Sequence, residues 1–281
     1  MASSSRQAQK PTLGFVGFGA FARLAAGHLH EHFSLCAHDP AFDGVAVDPS
    51  GVVFTDLATV ARCPVVVLAV PVGRFAEAAE AIAPHIEAGT LVLDVGSVKV
   101  GPARVMLELL PDHVDIVATH PLFGPQSARA GIAGLKIAVC PLRGSAGGRV
   151  AAFLRRFLRL DVIVTTPERH DRDAAMAQGL THLIAKVLVQ MEPLPTRVTT
   201  RSFDLLVQAV EMVRHDAPEV FDAIERLNPY AEDVRRRFFA LASDLALALD
   251  DRPNQPRGLI EVADPSEGRP GGELSHGFAV S

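Results

Sequence analysis

The sequence predicts an α/β fold in which a mainly parallel sheet, flanked by helices, is followed by an all-α region. Between Leu13 and Thr166, short apolar runs alternate with helical patterns, as expected when crossover helices join parallel strands. After Thr166 the strand pattern stops, and apolar residues recur at helical spacing. With 281 residues, 48% of them hydrophobic, the chain can bury a substantial core.

The apolar runs predict eight strands, at 13–17, 34–38, 52–54, 65–70, 91–94, 115–119, 136–140 and 162–164. Thr166-Pro167-Glu168 then predicts a helix start, with Thr at the N-cap and Pro at the first helical position. Apolar stripes over 180–191 and 234–245 predict further helices. We therefore expect a dinucleotide-binding domain over 12–166 and a helical substrate and dimerisation domain over 167–251, between a flexible N-terminus (1–11) and a flexible tail (252–281).

Composition narrows the class of partner to a small molecule. The net charge of −5 provides no basic surface for nucleic acid, and no apolar run is long enough to cross a bilayer. The polar start of the chain lacks the apolar core of a signal peptide, so we expect a cytoplasmic protein. Cys36, Cys63 and Cys140 are far apart in the sequence and are interpreted as small buried hydrophobes, and no metal site is predicted.

A nucleotide-binding signature follows the first predicted strand. Gly17-x-Gly19-x-x-Ala22 leads into a helical pattern. In such a Rossmann-type turn the first glycine allows a tight bend, the second lets a pyrophosphate approach the helix N-terminus, and Ala22 lets the helix pack closely on the strand. Ala20 and Phe21 belong to the same turn.

The second strand predicts which nucleotide binds. It ends at Asp39, twenty residues after Gly19, where a carboxylate binds ribose hydroxyls and repels a 2′-phosphate. Pro40 stands where an arginine would help to bind NADP, so NAD is favoured over NADP. Val70 and Pro71 follow the fourth strand and are expected to line the same pocket.

Two polar side chains follow later strands and would face the nicotinamide. Ser97 follows the fifth strand, and His120 follows the sixth in the segment His120-Pro-Leu-Phe-Gly124-Pro. A neutral imidazole there can accept the proton of a substrate hydroxyl while hydride leaves the same carbon. A histidine before proline is equally typical of a strand cap, and position alone leaves both interpretations open.

Four segments together resemble the prephenate/arogenate dehydrogenase family over roughly residues 13–249. They are the glycine turn, Asp94-x-Gly-Ser97-x-Lys99, the His120 segment, and Gln178-Gly-Leu-Thr-His182. The resemblance implies NAD-dependent oxidative decarboxylation of prephenate to 4-hydroxyphenylpyruvate in tyrosine biosynthesis. It implies His120 as the base, Ser97 as an orienting and cofactor-side group, and His182 at the substrate.

Further substrate contacts are assigned through the same resemblance. Gln178 shares a polar helix face with His182, Lys99 has a supporting role, and Gln126 and Ser127 lie in the loop after His120. The family uses an arginine for a substrate carboxylate, and Arg201 is the best candidate, with Arg197 second. The chain shows no certain equivalent.

The identity of the substrate stays open between prephenate, arogenate and a 4-amino-4-deoxyprephenate. Gln126 is neutral, and the absence of a carboxylate there leans toward prephenate. A β-hydroxyacid dehydrogenase fits less well, because the Gly-x-x-x-Lys-x-x-x-Asn frame of that family reads His182 and Gln190 around Lys186. A non-catalytic NAD sensor conflicts with the intact Ser97, His120 and His182.

Overall fold

The computed structural model describes residues 10–42 and 46–250, which are arranged around an eight-stranded sheet. Its strands are β1 (Thr12–Val16), β2 (Ser34–His38), β3 (Val53–Phe54), β4 (Val65–Leu68), β5 (Leu91–Asp94), β6 (Asp115–Pro121), β7 (Lys136–Arg143) and β8 (Asp161–Val164). Their spatial order is β3-β2-β1-β4-β5-β6-β7-β8, with all neighbours parallel except β6 and β7. The predicted α/β fold is confirmed.

The helices flank the sheet and then form the region after β8. They are α1 (Ala20–Leu29), α2 (Leu57–Ala61), α3 (Phe75–Ile82), α4 (Val100–Leu109), α5 (Gly147–Arg156), α6 (Pro167–Ala174), α7 (Leu180–Gln190), α8 (Arg201–Val213), α9 (Pro218–Asp222) and α10 (Ala231–Asp250). A π-helical segment, Ala175–Gly179, joins α6 to α7, and a second, Ala223–Leu227, follows α9.

Helices cover both faces of the sheet, which explains the continuous apolar runs of its strands. One apolar cluster joins α2, α3 and α4 to the sheet through Val60, Phe75, Ile82 and Met106. Other clusters hold α1 through Ala22, and α5 against β7 and β8. The strand order reverses direction at β1, and in such sheets ligands bind in the crevice at the carboxyl ends of the strands.

Strand β6 is longer than predicted. The sequence indicates an end at Thr119, but the strand continues to Pro121 because β7 pairs with it in antiparallel register, His120 opposite Ala138. The prediction that His120 follows the strand is therefore wrong. His120 lies within the last residues of β6, where the ladder fixes its backbone.

The helical region begins as predicted. The Thr166 hydroxyl accepts the Arg169 N–H at 3.3 Å, and Pro167 is the first helical residue. The packing divides the chain into two compact units, one up to Phe239 and one from Ala240, of which residues 240–250 are described as the last part of α10. The predicted division at residues 166 and 167 falls inside the first unit and stays a prediction.

The three cysteines are buried free thiols, as predicted. Cys36 and Cys63, distant in sequence, lie side by side with their sulfurs 3.4 Å apart. Among residues 10–42 and 46–250, no helix combines the length and apolarity needed to span a membrane. The predicted flexible tail, 252–281, and all but the last two residues of the predicted flexible N-terminus lie outside the described residues.

Candidate active site

The glycine turn after β1 has the shape that a dinucleotide needs. Gly17 adopts φ of +88°, and a Cβ there would lie 2.8 Å from the Ala69 carbonyl oxygen, so only glycine fits. Gly19 is the N-cap of α1, and no atom would lie within 4 Å of a Cβ at that position. The turn is thus tight on the protein side and open where a pyrophosphate would approach the helix N-terminus.

The Asp39 carboxylate is held beside this turn by two peptide groups. One of its oxygens accepts the Phe18 N–H at 2.7 Å, and the other accepts the Ala41 N–H at 2.9 Å. Each oxygen keeps acceptor capacity for a ribose hydroxyl. The spacing argument that selected Asp39 therefore leads to a fixed carboxylate at the carboxyl end of β2.

The remaining predicted cofactor residues surround the same turn. A Cβ at Gly17 would lie 3.0 Å from Cγ1 of Val70, which precedes Pro71 after β4. Ala20 is the first residue of α1, and Ala22 lies on the buried face of this helix, in the apolar cluster that contains Phe15 of β1. The ring of Phe21 packs against Phe123, with 6.2 Å between centroids, and so joins the nucleotide turn to the loop after His120.

A buried ion pair supports the floor of the site. Lys99 and Asp94 are both fully buried and form an ion pair, and the Lys99 ammonium also donates to the Thr119 carbonyl at 2.6 Å. Burial raises the pKa of Asp94, whereas the Lys99 ammonium and the peptide N–H groups of Gly96 and Thr119 oppose that rise. The predicted contact of Lys99 with substrate is wrong, because its ammonium is buried and used inside the protein.

His120 is buried, and one of its ring nitrogens has a protein partner. Its Nδ1 lies 2.8 Å from Nε2 of His170, at the start of the helical region. The pKa of His120 lies well below its ordinary value because burial disfavours the charged ring, and the nearby His170 and Lys99 add repulsion. His120 is therefore neutral near pH 7, as a base must be.

His170 is in turn joined to a carboxylate. Its Nδ1 lies 2.7 Å from Oδ1 of Asp171, which also accepts the Lys99 N–H at 2.7 Å, while Oδ2 accepts the Val100 N–H at 2.8 Å. Asp171 thus caps the first turn of α4 and fixes α6 to the sheet region. Sequence reasoning missed both residues, although an adjacent His-Asp pair directly after a helix start was a signal.

Ser97 lies in the turn after β5 and is half-buried. The resemblance implies that Ser97 orients His120. The hydrogen bond that His120 makes through Nδ1, however, is to His170. Any contact of the Ser97 hydroxyl with the substrate or the other ring nitrogen stays a prediction.

His182 lies on α7 and is buried. Its Nε2 is 3.7 Å from Oδ2 of Asp216, and a Cβ at Gly124, in the loop after His120, would lie 3.9 Å from the other Asp216 oxygen. Burial lowers the pKa of His182, and Lys186 adds repulsion. Asp216, which sequence reasoning missed, thus connects the predicted helix histidine to the predicted loop.

The other residues predicted to bind substrate lie in the loop after His120 and in the helical region. Gln126 pairs with Arg129, and the Ser127 hydroxyl accepts the Gly124 N–H at 3.0 Å, which closes the loop. Gln178 lies in the first π-helical segment, and its buried Oε1 has no partner among the described residues. Arg201 is exposed at the start of α8.

The fold and the site define a Rossmann-type nucleotide-binding protein with a histidine-containing crevice and a helical C-terminal region. Residues 50–136 match the family model described as "Prephenate dehydrogenase, nucleotide-binding domain". This match covers the nucleotide-binding part of the chain and agrees with the resemblance to the prephenate/arogenate dehydrogenase family.

Among curated relatives, the chain is 22% identical over 244 residues to a probable arogenate/prephenate dehydrogenase of Methanocaldococcus jannaschii, covering 82% of this chain and 54% of that protein. It is 31% identical over 167 residues to arogenate dehydrogenase 2 of Arabidopsis thaliana, covering 57% of this chain and 46% of that protein. The chain therefore spans about half the length of the curated relatives it matches.

Solved structures share the fold. A prephenate dehydrogenase from Aquifex aeolicus, crystallised with hydroxyphenyl propionate and NAD+, superposes with a TM-score of 0.65 at 19% identity, covering 88% of this chain and 94% of that one. Synechocystis arogenate dehydrogenase gives a TM-score of 0.59 at 18% identity, covering 85% and 93%.

Proposed function

We propose that the protein is an NAD-dependent dehydrogenase that converts prephenate to 4-hydroxyphenylpyruvate by oxidative decarboxylation, in tyrosine biosynthesis. The observation that carries the proposal is the buried, neutral His120 near the carboxyl end of β6. Because β1, β4, β5 and β6 run parallel, this end shares a sheet edge with the glycine turn. A base and a dinucleotide cradle on one edge are what hydride removal from a hydroxyl-bearing carbon requires.

The residues support a balanced reaction. When bound, NAD would supply the acceptor for the hydride that leaves the ring carbon carrying the hydroxyl. Neutral His120 takes the hydroxyl proton as the hydride leaves. The carbon–carbon bond to the ring carboxylate then breaks, carbon dioxide departs, and the bonding electrons complete the aromatic ring. The proton returns from His120 to the ring oxygen, so no net proton is consumed.

We assign the cofactor as NAD in preference to NADP because of Asp39. Its fixed carboxylate can accept hydrogen bonds from both ribose hydroxyls, and its charge repels a 2′-phosphate. Gly17, Gly19, Ala20, Phe21 and Ala22 would form the pyrophosphate turn. Val70, Pro71 and Ser97 would complete the pocket.

We assign substrate contact to the residues on the helical side and in the loop after His120. His182 and Gln178 would face the ring, Gln126 and Ser127 would lie at its edge, and Arg201 is the candidate for a carboxylate. Arogenate is the second candidate substrate, since Asp216 sits between His182 and the loop with its side chain 25% exposed. A carboxylate at that place is suited to pair with the ammonium group that arogenate carries on its side chain.

We also propose that the protein is a cytoplasmic homodimer. Leu205 and Met212 lie seven residues apart on α8, so they share one face, and both are about half exposed. An apolar helix face of this kind is suited to burial against a second copy. The buried reduced cysteines fit a cytoplasmic location.

Turnover assays test the activity directly. The purified full chain is mixed with NAD or NADP and with prephenate or arogenate, and reduced nicotinamide and the aromatic product are followed. We expect the fastest turnover with NAD and prephenate. Preference for arogenate would support the role of Asp216, and absence of turnover with every pair would refute the proposal.

The His120→Asn variant tests the base. We expect kcat to fall by about 100-fold or more, since a general base contributes on that order. Circular dichroism and thermal unfolding check that the variant is folded. A folded variant with full turnover would refute the assignment of His120.

A further inference from the structure

Three buried side chains form a line from the helical region to the proposed base. Asp171 Oδ1 lies 2.7 Å from His170 Nδ1, and His170 Nε2 lies 2.8 Å from His120 Nδ1. Asp171 is fully buried, and each histidine is 5% exposed. Water therefore has little access to the line, and the three groups must satisfy one another's hydrogen bonds.

The line has one consistent arrangement of protons when both histidines are neutral. An ionised carboxylate only accepts hydrogen bonds, so the proton between Asp171 and His170 belongs to His170 Nδ1. A neutral imidazole carries one N–H, which leaves His170 Nε2 as an acceptor. His120 must then carry its proton on Nδ1, and its Nε2 is left bare.

The carboxylate that sets this order is itself held firmly. Asp171 accepts the peptide N–H groups of Lys99 and Val100 at the start of α4, and its own carbonyl accepts the Asn228 side-chain N–H at 2.8 Å. The acceptor end of the line is therefore fixed on the sheet side by α4 and on the helical side by Asn228. All of these contacts are made within the protein.

We infer that His170 is a positioning residue which, together with Asp171, holds His120 in the tautomer that leaves Nε2 free to accept the substrate proton. The inference rests on the proposed function in so far as His120 is the base. It adds that the base is prepared before substrate binds. After proton transfer, the same two hydrogen bonds stabilise the His120 imidazolium, because both keep donating toward the Asp171 carboxylate.

Paired variants of His170 separate positioning from structural support. Phe in His170→Phe keeps a ring of similar size but offers no acceptor to His120. Gln in His170→Gln has an amide oxygen that can accept the His120 Nδ1–H. We expect His170→Phe to lower kcat on the order of 100-fold with little change in KM, and His170→Gln to lose clearly less.

His113→Phe is the matched control, because His113 is exposed and its ring forms a hydrogen bond with the Ile86 carbonyl, at 3.3 Å, away from His120 and His170 in the sequence. It should keep the kcat of the parent protein. An unchanged kcat in folded His170→Phe, or equal losses in the Phe and Gln variants, would overturn the inference.

A spectroscopic measurement tests the tautomer without any turnover. The full chain is labelled with 15N-histidine, and long-range 1H–15N correlation spectra are recorded near pH 7.5, with the His120 signals identified by their loss in His120→Asn. We expect the proton on Nδ1 of His120 in the parent protein and loss of this preference in His170→Phe. A proton on Nε2 in the parent protein would overturn the inference, whereas inactivity toward every substrate would refute the proposed function alone.

Discussion

At the scale of single residues, the environment of His120 is decided by contacts distant in sequence. His170 is fifty residues away, and Lys99 approaches from the turn after the neighbouring strand. The family resemblance implies a base at this position, but the sequence predicted neither its burial nor its partner. Burial and both neighbours act in one direction, which keeps the ring neutral.

A pH profile tests that neutrality. The pKa of His120 is lowered below its ordinary value of 6.5, so the ring stays neutral, and active, as the pH falls through 6.5. We expect the acidic limb of kcat for the protein with saturating NAD and prephenate to lie below pH 6.5. The residual activity of His120→Asn shows whether a limb belongs to His120. An acidic limb of kcat at or above pH 6.5 that is missing in this variant would contradict the argument that burial lowers the pKa of His120.

Replacement of Asp39 tests the choice of nucleotide. The Asp39→Ser variant removes the charge that repels a 2′-phosphate. It also replaces the carboxylate by a shorter hydroxyl side chain, which is a poorer acceptor for the ribose hydroxyls. We expect kcat/KM for NAD to fall and the ratio of NADP to NAD turnover to rise by about tenfold, equivalent to one lost charged hydrogen bond. Steady-state kinetics with both nucleotides measure the ratio, and an unchanged ratio would contradict the ribose role.

Lys99 shows what residue-level reasoning from sequence cannot provide. A lysine in a motif is expected to reach substrate or solvent, because lysines are rarely buried. Only the fold reveals that Asp94 and the Thr119 carbonyl enclose its ammonium. The two partners come from the ends of adjacent strands, and no local spacing in the sequence encodes that pairing.

At the scale of elements, the strand–turn–helix unit around Gly17 and Gly19 could be predicted almost completely. Its signals are local: an apolar run, small residues at fixed offsets, and a carboxylate at the end of the next strand. The end of β6 could not be predicted in the same way. It depends on antiparallel pairing with β7, a contact between segments that the sequence does not relate by any periodicity.

The two glycines are expected to respond differently to alanine. Gly17→Ala places a Cβ 2.8 Å from a carbonyl oxygen at positive φ, so we expect a loss of about 1–3 kcal/mol in the free energy of unfolding. Gly19→Ala meets no protein atom, and we expect near-normal stability but weaker NAD binding, because the methyl group stands where the pyrophosphate would approach.

Chemical denaturation and calorimetric titration with NAD measure the two effects. Each variant serves as the control for the other. Equal stability losses, or unimpaired NAD binding by Gly19→Ala, would contradict the interpretation of the turn.

At the scale of the whole molecule, the apolar face of α8 leads to a test of assembly. We expect the full chain to be a dimer by light scattering, and Leu205→Asp to shift it toward monomer, because a buried aspartate without a partner destabilises an interface. Glu87→Lys is the control. Glu87 is exposed and lies outside α8, and its replacement changes the charge by more than Leu205→Asp does, yet the mass of the assembly should stay the same. A monomeric parent protein would contradict the proposed dimer.

The π-helical segment between α6 and α7 determines which side of this continuous helical rod, residues 167–190, each of its two buried histidines occupies. In an uninterrupted α-helix, His170 and His182 would be about 120° apart around the axis, since each residue turns by about 100°. A π turn accommodates one extra residue, which reduces the angle to about 20°. Both histidines are buried, in keeping with a shared side of the rod. The π segment Ala175–Gly179 therefore acts as a register correction: if the same residues formed regular α-helix, His182 would turn away from the side of His170 by nearly a third of a turn.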